Sequence, residues 1–223
     1  GTKLDLKKGV IRGVESNGML LSERELGLSD DHEGIIDLPA DAPVGKPYVE
    51  LMDLGDPVVE IAITPNRPDA LGIRGVARDL AAMGVGTLKP WPVKPVKGTF
   101  QSPIAWKIAP DGNACPFVVG RYFRNVTNRP SPEWMQRRLV AIGLRPISAL
   151  VDITNYVTYD LGRPLHVFDA DKLAGDLTMR LAREGEEILA LDGKTYKLDP
   201  AITVIADANG AHGIGGVMGG ENT

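Results

Sequence analysis

The sequence has few residues of the kinds that build several common sites. A single cysteine, Cys115, and three histidines occur in 223 residues. One thiol cannot form a disulfide within the chain or supply the paired cysteines of a structural zinc site, so we expect a reducing, cytoplasmic compartment. No serine lies in a GxSxG elbow and no base stands beside Cys115, which argues against a nucleophilic side chain.

Long apolar runs and an excess of positive charge are also missing. No run approaches the roughly 18 apolar residues that span a bilayer, and the N-terminus lacks the features of a secretory signal. The net charge of −4 gives no support to a protein that binds nucleic acid over its whole surface, although a local basic face remains open. We therefore expect no membrane association and no DNA partner.

Turn-forming residues dominate the N-terminal quarter of the chain. Asn17-Gly18, Asp41 to Pro43 and Gly45 separate short β-branched pieces, which predicts a small β module over residues 1–55. The predicted elements are strands at Gly9–Val14, Gly34–Leu38 and Pro47–Leu51, and one helical turn at Ser22–Leu26.

The next segment predicts one strand, one helix and a linker. Pro57–Thr64 is a short run rich in β-branched residues, typical of a buried strand. Apolar residues then recur at helical spacing from Ile73, and Gly84 stands where a helix ends. Residues 87–100 hold three prolines and indicate a linker.

From about residue 100 onward the pattern alternates between helix and strand, which predicts an α+β fold. We expect Ser131 to cap a helix that ends at Gly143, and Asp192-Gly193 to turn a hairpin. Further strands are predicted at Pro103–Ile108 and Phe117–Val126.

The stretch from Val151 to Asp169, VDITNYVTYDLGRPLHVFD, is unusually polar for an apolar segment. Leu150 to Leu161 has helical spacing and Gly162 gives a stop, so we predict a helix there. Its polar residues, Asp152, Asn155, Tyr156 and Tyr159, would share one face, next to the turn that delivers His166. Buried polar atoms need partners, so this stretch is either a network that fixes the fold or the wall of a site.

Two specific interpretations of the polar and glycine-rich segments, a metal site and a dinucleotide-binding loop, are disfavoured. His166, Asp169 and Asp171 do not match a zinc or iron spacing, so we predict no metal. In GIGGVMGG the third glycine of a dinucleotide fingerprint is replaced by Met218. The glycine-dense backbone can still let a ligand approach and offer N–H groups to an oxygen. A satisfied core histidine remains the alternative for His166.

Four blocks of sequence carry a resemblance to a known family. RGVESNGMLLSERELGLS, EIAITPNRPDALGIRGVARDLAA, RPISALVDITNYVTYDLGRPLHVFDADKL and GIGGVMGGE resemble consecutive blocks of the bacterial phenylalanyl-tRNA synthetase β subunit. The resemblance implies a multi-domain segment with three parts. Residues 1–55 would be the tail of an OB-type tRNA-binding module, 56–92 the second half of a small α/β domain with its linker, and 93–223 a B3/B4 editing domain, truncated at its C-terminus.

The family resemblance also implies an activity, hydrolytic editing of mischarged Tyr-tRNA(Phe). A pocket for phenylalanine cannot strongly reject an analogue that merely adds a hydroxyl, so a second site must read that hydroxyl and hydrolyse the wrong ester. The positions that match the family's site are His166 and Asn155 as catalytic residues, with Thr154, Gly215, Gly216 and Gly219 binding substrate. The family also uses an acidic residue beyond the last residue of this sequence, which Glu221 does not replace.

The resemblance places the remaining chemistry in the parent enzyme. Its partners would be tRNA(Phe) and the α subunit of an α2β2 heterotetramer. ATP and Mg²⁺ would serve aminoacylation in the α subunit, and no cofactor is expected in this segment. The alternatives are a non-catalytic module for RNA binding and subunit docking, and a small-ester hydrolase indifferent to tRNA.

Overall fold

The computed structural model describes residues 5–111 and 114–222 and confirms the predicted α+β class. The chain divides into two compact units, the first running through Pro57 and the second beginning at Val58. Residues 1–4 of the predicted N-terminal module lie outside the described residues. None of the helices in the described ranges is long and apolar enough to cross a membrane.

The first unit has little regular structure. Strands β1 (Gly9–Ile11) and β2 (Val14–Ser16) pair antiparallel, and α1 (Tyr48–Leu51) is one helical turn. The predicted turn at Ser22 is confirmed by a hydrogen bond of 3.3 Å from the Leu26 N–H to the Ser22 carbonyl. The strand predicted at residues 34–38 is absent. The one predicted at 47–51 is helical, because Pro47, with φ fixed at −55°, leads directly into α1.

The second unit begins with a segment that contradicts its strand propensity. Residues 57–64 form no strand, and Val59 is 71% exposed. A β-branched run becomes a strand only where a neighbour completes its hydrogen-bond ladder, and none pairs with it in the described residues. The predicted helix is confirmed as α2 (Ile73–Ala82), after a 3₁₀ turn at Pro68–Ala70, and Gly84 follows with φ +77°.

Two helices carry the polar stretch and its packing partner. α3 (Glu133–Ala141) is followed by Gly143 at φ +83°, and α4 (Ala149–Leu161) ends at Gly162 in the left-handed conformation, as predicted. The predicted cap at Ser131 is wrong. Pro132 occupies that position, while the Ser131 hydroxyl turns inward to Asp152.

A mixed sheet forms the rest of the unit. Its first strands are β3 (Trp106–Ile108) and β4 (Leu177–Leu181), which pair in parallel. The predicted hairpin follows as β5 (Glu187–Leu189) and β6 (Thr195–Lys197), with Gly193 at φ +76°. β7 (Thr203–Ala206), β8 (Ala211–Ile214) and β9 (Met218–Gly219) complete the five-stranded sheet antiparallel, in the order β3-β4-β7-β8-β9.

The core lies on the central strands of this sheet. Leu177 and Val204 are fully buried, and each such side chain contributes about 1.5–3 kcal/mol by leaving water. Beside them the carboxylate of Glu186 accepts two hydrogen bonds from Arg180, at 2.8 and 2.6 Å. The strand predicted at residues 117–126 does not join the sheet, and Phe117 and Phe123 are mostly exposed.

Candidate functional site

His166 lies between the end of α4 and a 3₁₀ turn at Ala170–Lys172. On one side its ring meets Phe168 edge to face, with centroids 4.6 Å apart. On the other side is Gly219 of β9, where an added Cβ would overlap the imidazole Cε1 and lie 3.1 Å from Nε2. The structure therefore brings two of the predicted site residues, His166 and Gly219, into direct contact.

Packing on two sides sets the protonation of His166. The residue as a whole is exposed, yet burial of part of the ring lowers the pKa of His166 below its ordinary value of 6.5. At neutral pH the imidazole is therefore neutral, with one nitrogen able to accept a proton. A wet, neutral histidine of this kind suits proton transfer or the positioning of a water molecule.

The buried histidine of this unit is His212 on β8, which is 8% exposed. Its Nε2 lies 2.7 Å from Asp207 Oδ2 but outside hydrogen-bonding angles. Asp207 also accepts hydrogen bonds from the N–H groups of Ala174 and Asn209, at 2.6 and 2.7 Å. The pair ties a turn to the sheet, so His212 is a core histidine.

The two predicted residues on α4 have different environments. The Thr154 hydroxyl donates to the Val151 carbonyl at 2.7 Å, so its proton is used within the helix. Asn155 is half-buried, and within the described ranges its side chain makes no hydrogen bond. The predicted juxtaposition of Asn155 with His166 stays a prediction, and the Asn155 amide is free to bind a ligand.

Asp152 departs from the predicted shared polar face. It is 1% exposed and accepts hydrogen bonds from the Ser131 hydroxyl at 2.5 Å and from the Ile147 N–H at 2.9 Å. Tyr156 instead lies near the surface, where its hydroxyl accepts from Arg138 at 2.7 Å. Part of the polar stretch is therefore a network that fixes the fold, because Asp152 ties α4 to the residue before α3. That the later residues of the stretch form the wall of a site stays a prediction.

Gly215 and Gly216 form the centre of the turn between β8 and β9. The Val217 N–H donates to the Ile214 carbonyl at 3.0 Å, and Gly216 has φ +72°, a conformation that favours glycine. The Gly215 N–H donates to the Thr203 carbonyl at 2.8 Å, so it is not available to a ligand. The Gly216 N–H has no partner in the part of the chain that the structure describes.

Other concave or acidic features do not coincide with these residues. No group of three or more metal-ligating side chains occurs among the described residues, and the Asp169 carboxylate accepts from the Asp171 N–H at 3.1 Å. A groove along α2 is lined mostly by apolar side chains, among them Trp91, with Arg74 above the indole ring at 5.3 Å. That groove shares no residue with the predicted site.

Comparisons with known proteins cover the part of the chain that holds these residues. Residues 114–223 match the B3/4 domain family, and this range contains every predicted site residue. The chain is 60% identical to the phenylalanine–tRNA ligase β subunit of Cereibacter sphaeroides over 99% of its own length and 28% of that protein. The Rhodospirillum rubrum β subunit is 60% identical over 98% of the chain and 28% of its own length.

A third relative, the phenylalanine–tRNA ligase β subunit of Bradyrhizobium diazoefficiens, is 58% identical over 99% of the chain and 27% of its own length. The chain thus spans between a quarter and a third of the length of these curated relatives. Those relatives are named as subunits of an aminoacyl-tRNA synthetase, a ligase of protein biosynthesis. The chain therefore carries a B3/4 domain and corresponds, along its whole length, to a segment of the phenylalanine–tRNA ligase β subunit family.

Proposed function

We propose that this chain binds tRNA and hydrolyses mischarged Tyr-tRNA(Phe), as the editing segment of a phenylalanine–tRNA ligase β subunit. The observation that carries the proposal is the contact of a neutral, solvent-accessible His166 with the bare backbone of Gly219, inside the range that matches the B3/4 domain. The identity of the chain with β subunits named for the ligase supports the same assignment.

The need for such a site follows from the small difference between the two amino acids. Tyrosine adds one hydroxyl to phenylalanine, and in comparable cases an apolar pocket discriminates by only about 100-fold against an added hydroxyl. A hydrolytic site must instead recognise that hydroxyl with polar groups that would stay unpaired in its absence. The unpartnered amide of Asn155 is suited to this role, and the Thr154 hydroxyl oxygen can accept a further hydrogen bond.

Hydrolysis needs an activated water and a donor for the developing oxyanion. In the proposed reaction a water oxygen attacks the ester carbonyl carbon, the ester C–O bond breaks, and tyrosine leaves from the terminal ribose. His166 orients the water and accepts its proton, which then goes to the departing ribose oxygen. Gly219 lets the ester approach the imidazole, and the unpartnered N–H of Gly216 is the candidate donor to the carbonyl oxygen.

A local excess of arginine supports the RNA part of the proposal. Residues 117–147 contain six arginines and one acid, Glu133, although the whole chain carries a net charge of −4. On α3, Arg138 bonds Tyr156 and lies 5.5 Å from the Trp134 ring, so cationic and aromatic groups stand side by side at the surface. Arginine with exposed aromatic rings is the usual combination for contacts to phosphates and unstacked bases.

The remaining assignments concern the parent enzyme. We propose that the chain acts in the cytoplasm, beside the α subunit of an α2β2 enzyme that uses ATP and Mg²⁺ for aminoacylation. The described residues do not gather the carboxylates of a Mg²⁺ site. No step of the editing reaction is therefore assigned to a metal in this segment.

The alternative function is a non-catalytic module for RNA binding and subunit docking. It is favoured by the apolar side chains that the second unit leaves in solvent, since Phe117, Val119 and Phe123 are each more than 60% exposed. Such surfaces often mark protein interfaces. A small-ester hydrolase indifferent to tRNA is a third candidate.

A deacylation assay separates these functions. The complete β subunit with its α partner, and this chain alone, are incubated with Tyr-tRNA(Phe), with Phe-tRNA(Phe) and with a tyrosine methyl ester. Selective release of tyrosine from tRNA supports editing. Inertness of the complete enzyme toward Tyr-tRNA supports the docking module, and equal hydrolysis of the methyl ester supports the small-ester hydrolase.

A further inference from the structure

A continuous series of edge-to-face contacts joins the candidate site to Trp106, an aromatic residue from a distant part of the sequence. Trp106 of β3 meets Phe168 edge to face, with centroids 6.1 Å apart and planes at 63°. Phe168 in turn meets His166 at 4.6 Å and 65°. We call Trp106, Phe168 and His166 the aromatic column.

Glycines close both ends of the aromatic column. A Cβ at Gly120 would overlap the Trp106 indole, so the indole lies directly on that backbone. At the other end a Cβ at Gly219 would overlap His166 and lie 3.1 Å from Leu191 Cδ1. Because neither end leaves room for a methyl group, a shift of any ring has to be taken up by its neighbours.

The orientation of His166 depends on this packing. A functional histidine is normally fixed by a hydrogen bond from one ring nitrogen to a carboxylate or a carbonyl group. Among the described residues neither nitrogen of His166 has such a partner. What holds the ring is contact with Phe168 and with Gly219.

We propose that Phe168, backed by Trp106, is a positioning residue that holds the His166 imidazole against Gly219 for the reaction. This inference rests on the proposed editing function and adds to it the means by which the histidine is oriented. Phe168 does not touch the reacting atoms; it acts through the ring of His166. The aromatic column also excludes water from one side of the imidazole, which keeps the ring neutral.

Three variants of Phe168 separate the effect of its aromatic contact with His166 from the effect of simply filling space with an apolar side chain. Phe168→Ala removes the ring and leaves His166 free to rotate into solvent. Phe168→Leu keeps an apolar side chain but not the edge-to-face contact, and Phe168→Tyr keeps the ring. We expect Phe168→Tyr to keep the His166–Gly219 contact and the rate that Phe168→Ala loses, and Phe168→Leu to be intermediate. Phe100→Ala is the matched control, because it breaks a similar edge-to-face pair with Tyr122, at 6.2 Å and 84°.

The first readout is NMR on the 223-residue chain and needs no activity. In the parent chain we expect a nuclear Overhauser contact between the His166 Cε1 proton and the Gly219 Hα protons. Phe168→Ala should abolish that contact and raise the midpoint of the His166 titration toward the ordinary value, whereas Phe168→Tyr and Phe100→Ala should change neither. A contact and a midpoint that survive in Phe168→Ala and Phe168→Leu would overturn the proposal.

The second readout is Tyr-tRNA deacylation by the complete enzyme carrying the same variants. Misplacement of a catalytic group by about 1 Å can cost on the order of 100-fold in rate, so Phe168→Ala should lower kcat about 10- to 100-fold with little change in KM. An unchanged kcat overturns the proposal, as does a loss that Phe168→Tyr does not restore. If the parent enzyme fails to deacylate Tyr-tRNA, the proposed function falls, and the NMR contact alone decides the positioning. If Phe168→Ala does not fold, Phe168→Leu replaces it.

Discussion

The two units of this chain share similar sequence patterns but have very different structures. The N-terminal unit has β-branched pieces and turn residues, yet its only buried side chain among the described residues is that of Ser22. The second unit has pieces of the same kind in residues 177–220, and four of them join β3 in a five-stranded sheet with Leu177 and Val204 in its core.

The difference lies in the neighbours that each strand finds. In the sheet, β4 pairs with both β3 and β7, so the backbone groups along both of its edges have partners. In the described part of the N-terminal unit β1 and β2 pair only with each other, and a lone two-stranded hairpin is marginally stable in water. Strand propensity is therefore realised only where the chain also supplies partner strands.

The largest expected effect comes from removing a core side chain of the sheet. Leu177→Ala should lower the free energy of unfolding by about 2–5 kcal/mol, because the cavity forms in a fully packed region. Val10→Ala in the N-terminal unit, where Val10 is 72% exposed, is the matched control and should change stability by less than about 0.5 kcal/mol. Urea titration of both variants measures this, and equal losses would refute the contrast between the units.

A somewhat smaller loss is expected from Asp152→Ala. The change leaves the buried Ser131 hydroxyl without its acceptor, at a cost of about 1–3 kcal/mol. The Ile147 N–H loses the same acceptor, but Ile147 is exposed, so water can replace it. Asp30→Ala, an exposed acid of the N-terminal unit, should be neutral. Thermal unfolding of both variants tests this, and a stable Asp152→Ala would mean that the network does not fix the packing of α3 and α4.

The Arg180–Glu186 ion pair should make the free energy of unfolding depend on pH in the acid range. Hydrogen bonds from Arg180 hold the pKa of Glu186 below its ordinary value of 4.5. The stabilisation is therefore fully present above about pH 4.5 and is lost as the pH falls through the lowered pKa. Glu186→Gln should cost about 1–3 kcal/mol at pH 7 and flatten this dependence.

Glu184→Gln is the matched control for Glu186→Gln, because Glu184 is exposed in the same turn. Its urea midpoints between pH 3 and pH 7 should follow those of the parent chain. If Glu186→Gln retained the full acid dependence of the parent chain, the carboxylate would not be the group that titrates.

The smallest stability effect, with a large functional one, is expected for Gly219→Ala. The new methyl group would displace the exposed His166 ring rather than the sheet, so unfolding should change by less than about 1 kcal/mol. Deacylation of Tyr-tRNA by the complete enzyme should nevertheless fall about 10-fold or more, because the ring leaves its position. Gly18→Ala, which meets open space, is the control. Unchanged deacylation in Gly219→Ala would mean that the contact between Gly219 and His166 has no part in the reaction.

The helices and one hairpin were predictable because their signals are local. The spacing from Leu150 to Leu161, with Gly162 as a stop, predicts α4, and Asp192-Gly193 predicts the β5–β6 turn. Strands predicted at residues 57–64 and 117–126 failed, because a strand depends on partners that its own residues do not encode. Ser131 shows the same limit, since its hydroxyl is used by Asp152, 21 residues away, rather than by α3.

The candidate site was predictable only in part. The resemblance pointed to His166 and Gly219, which the structure places in contact. The contacts of Trp106 and Phe168 could not be predicted, because the sequence pattern shows an aromatic residue in a strand or a loop only as apolar. The occupied N–H of Gly215 was equally hidden, since it depends on the pairing of β7 with β8.

The most direct test of the central claim is Tyr-tRNA deacylation by the complete enzyme carrying His166→Ala. General acid–base catalysis is worth about 100- to 10,000-fold, so we expect tyrosine release to fall within that range. Charging with phenylalanine should be intact, and stability should change little because His166 is exposed. If the variant instead unfolds the domain, and the fraction that remains folded still deacylates Tyr-tRNA at the parent rate, His166 is a structural residue and the proposed site is wrong.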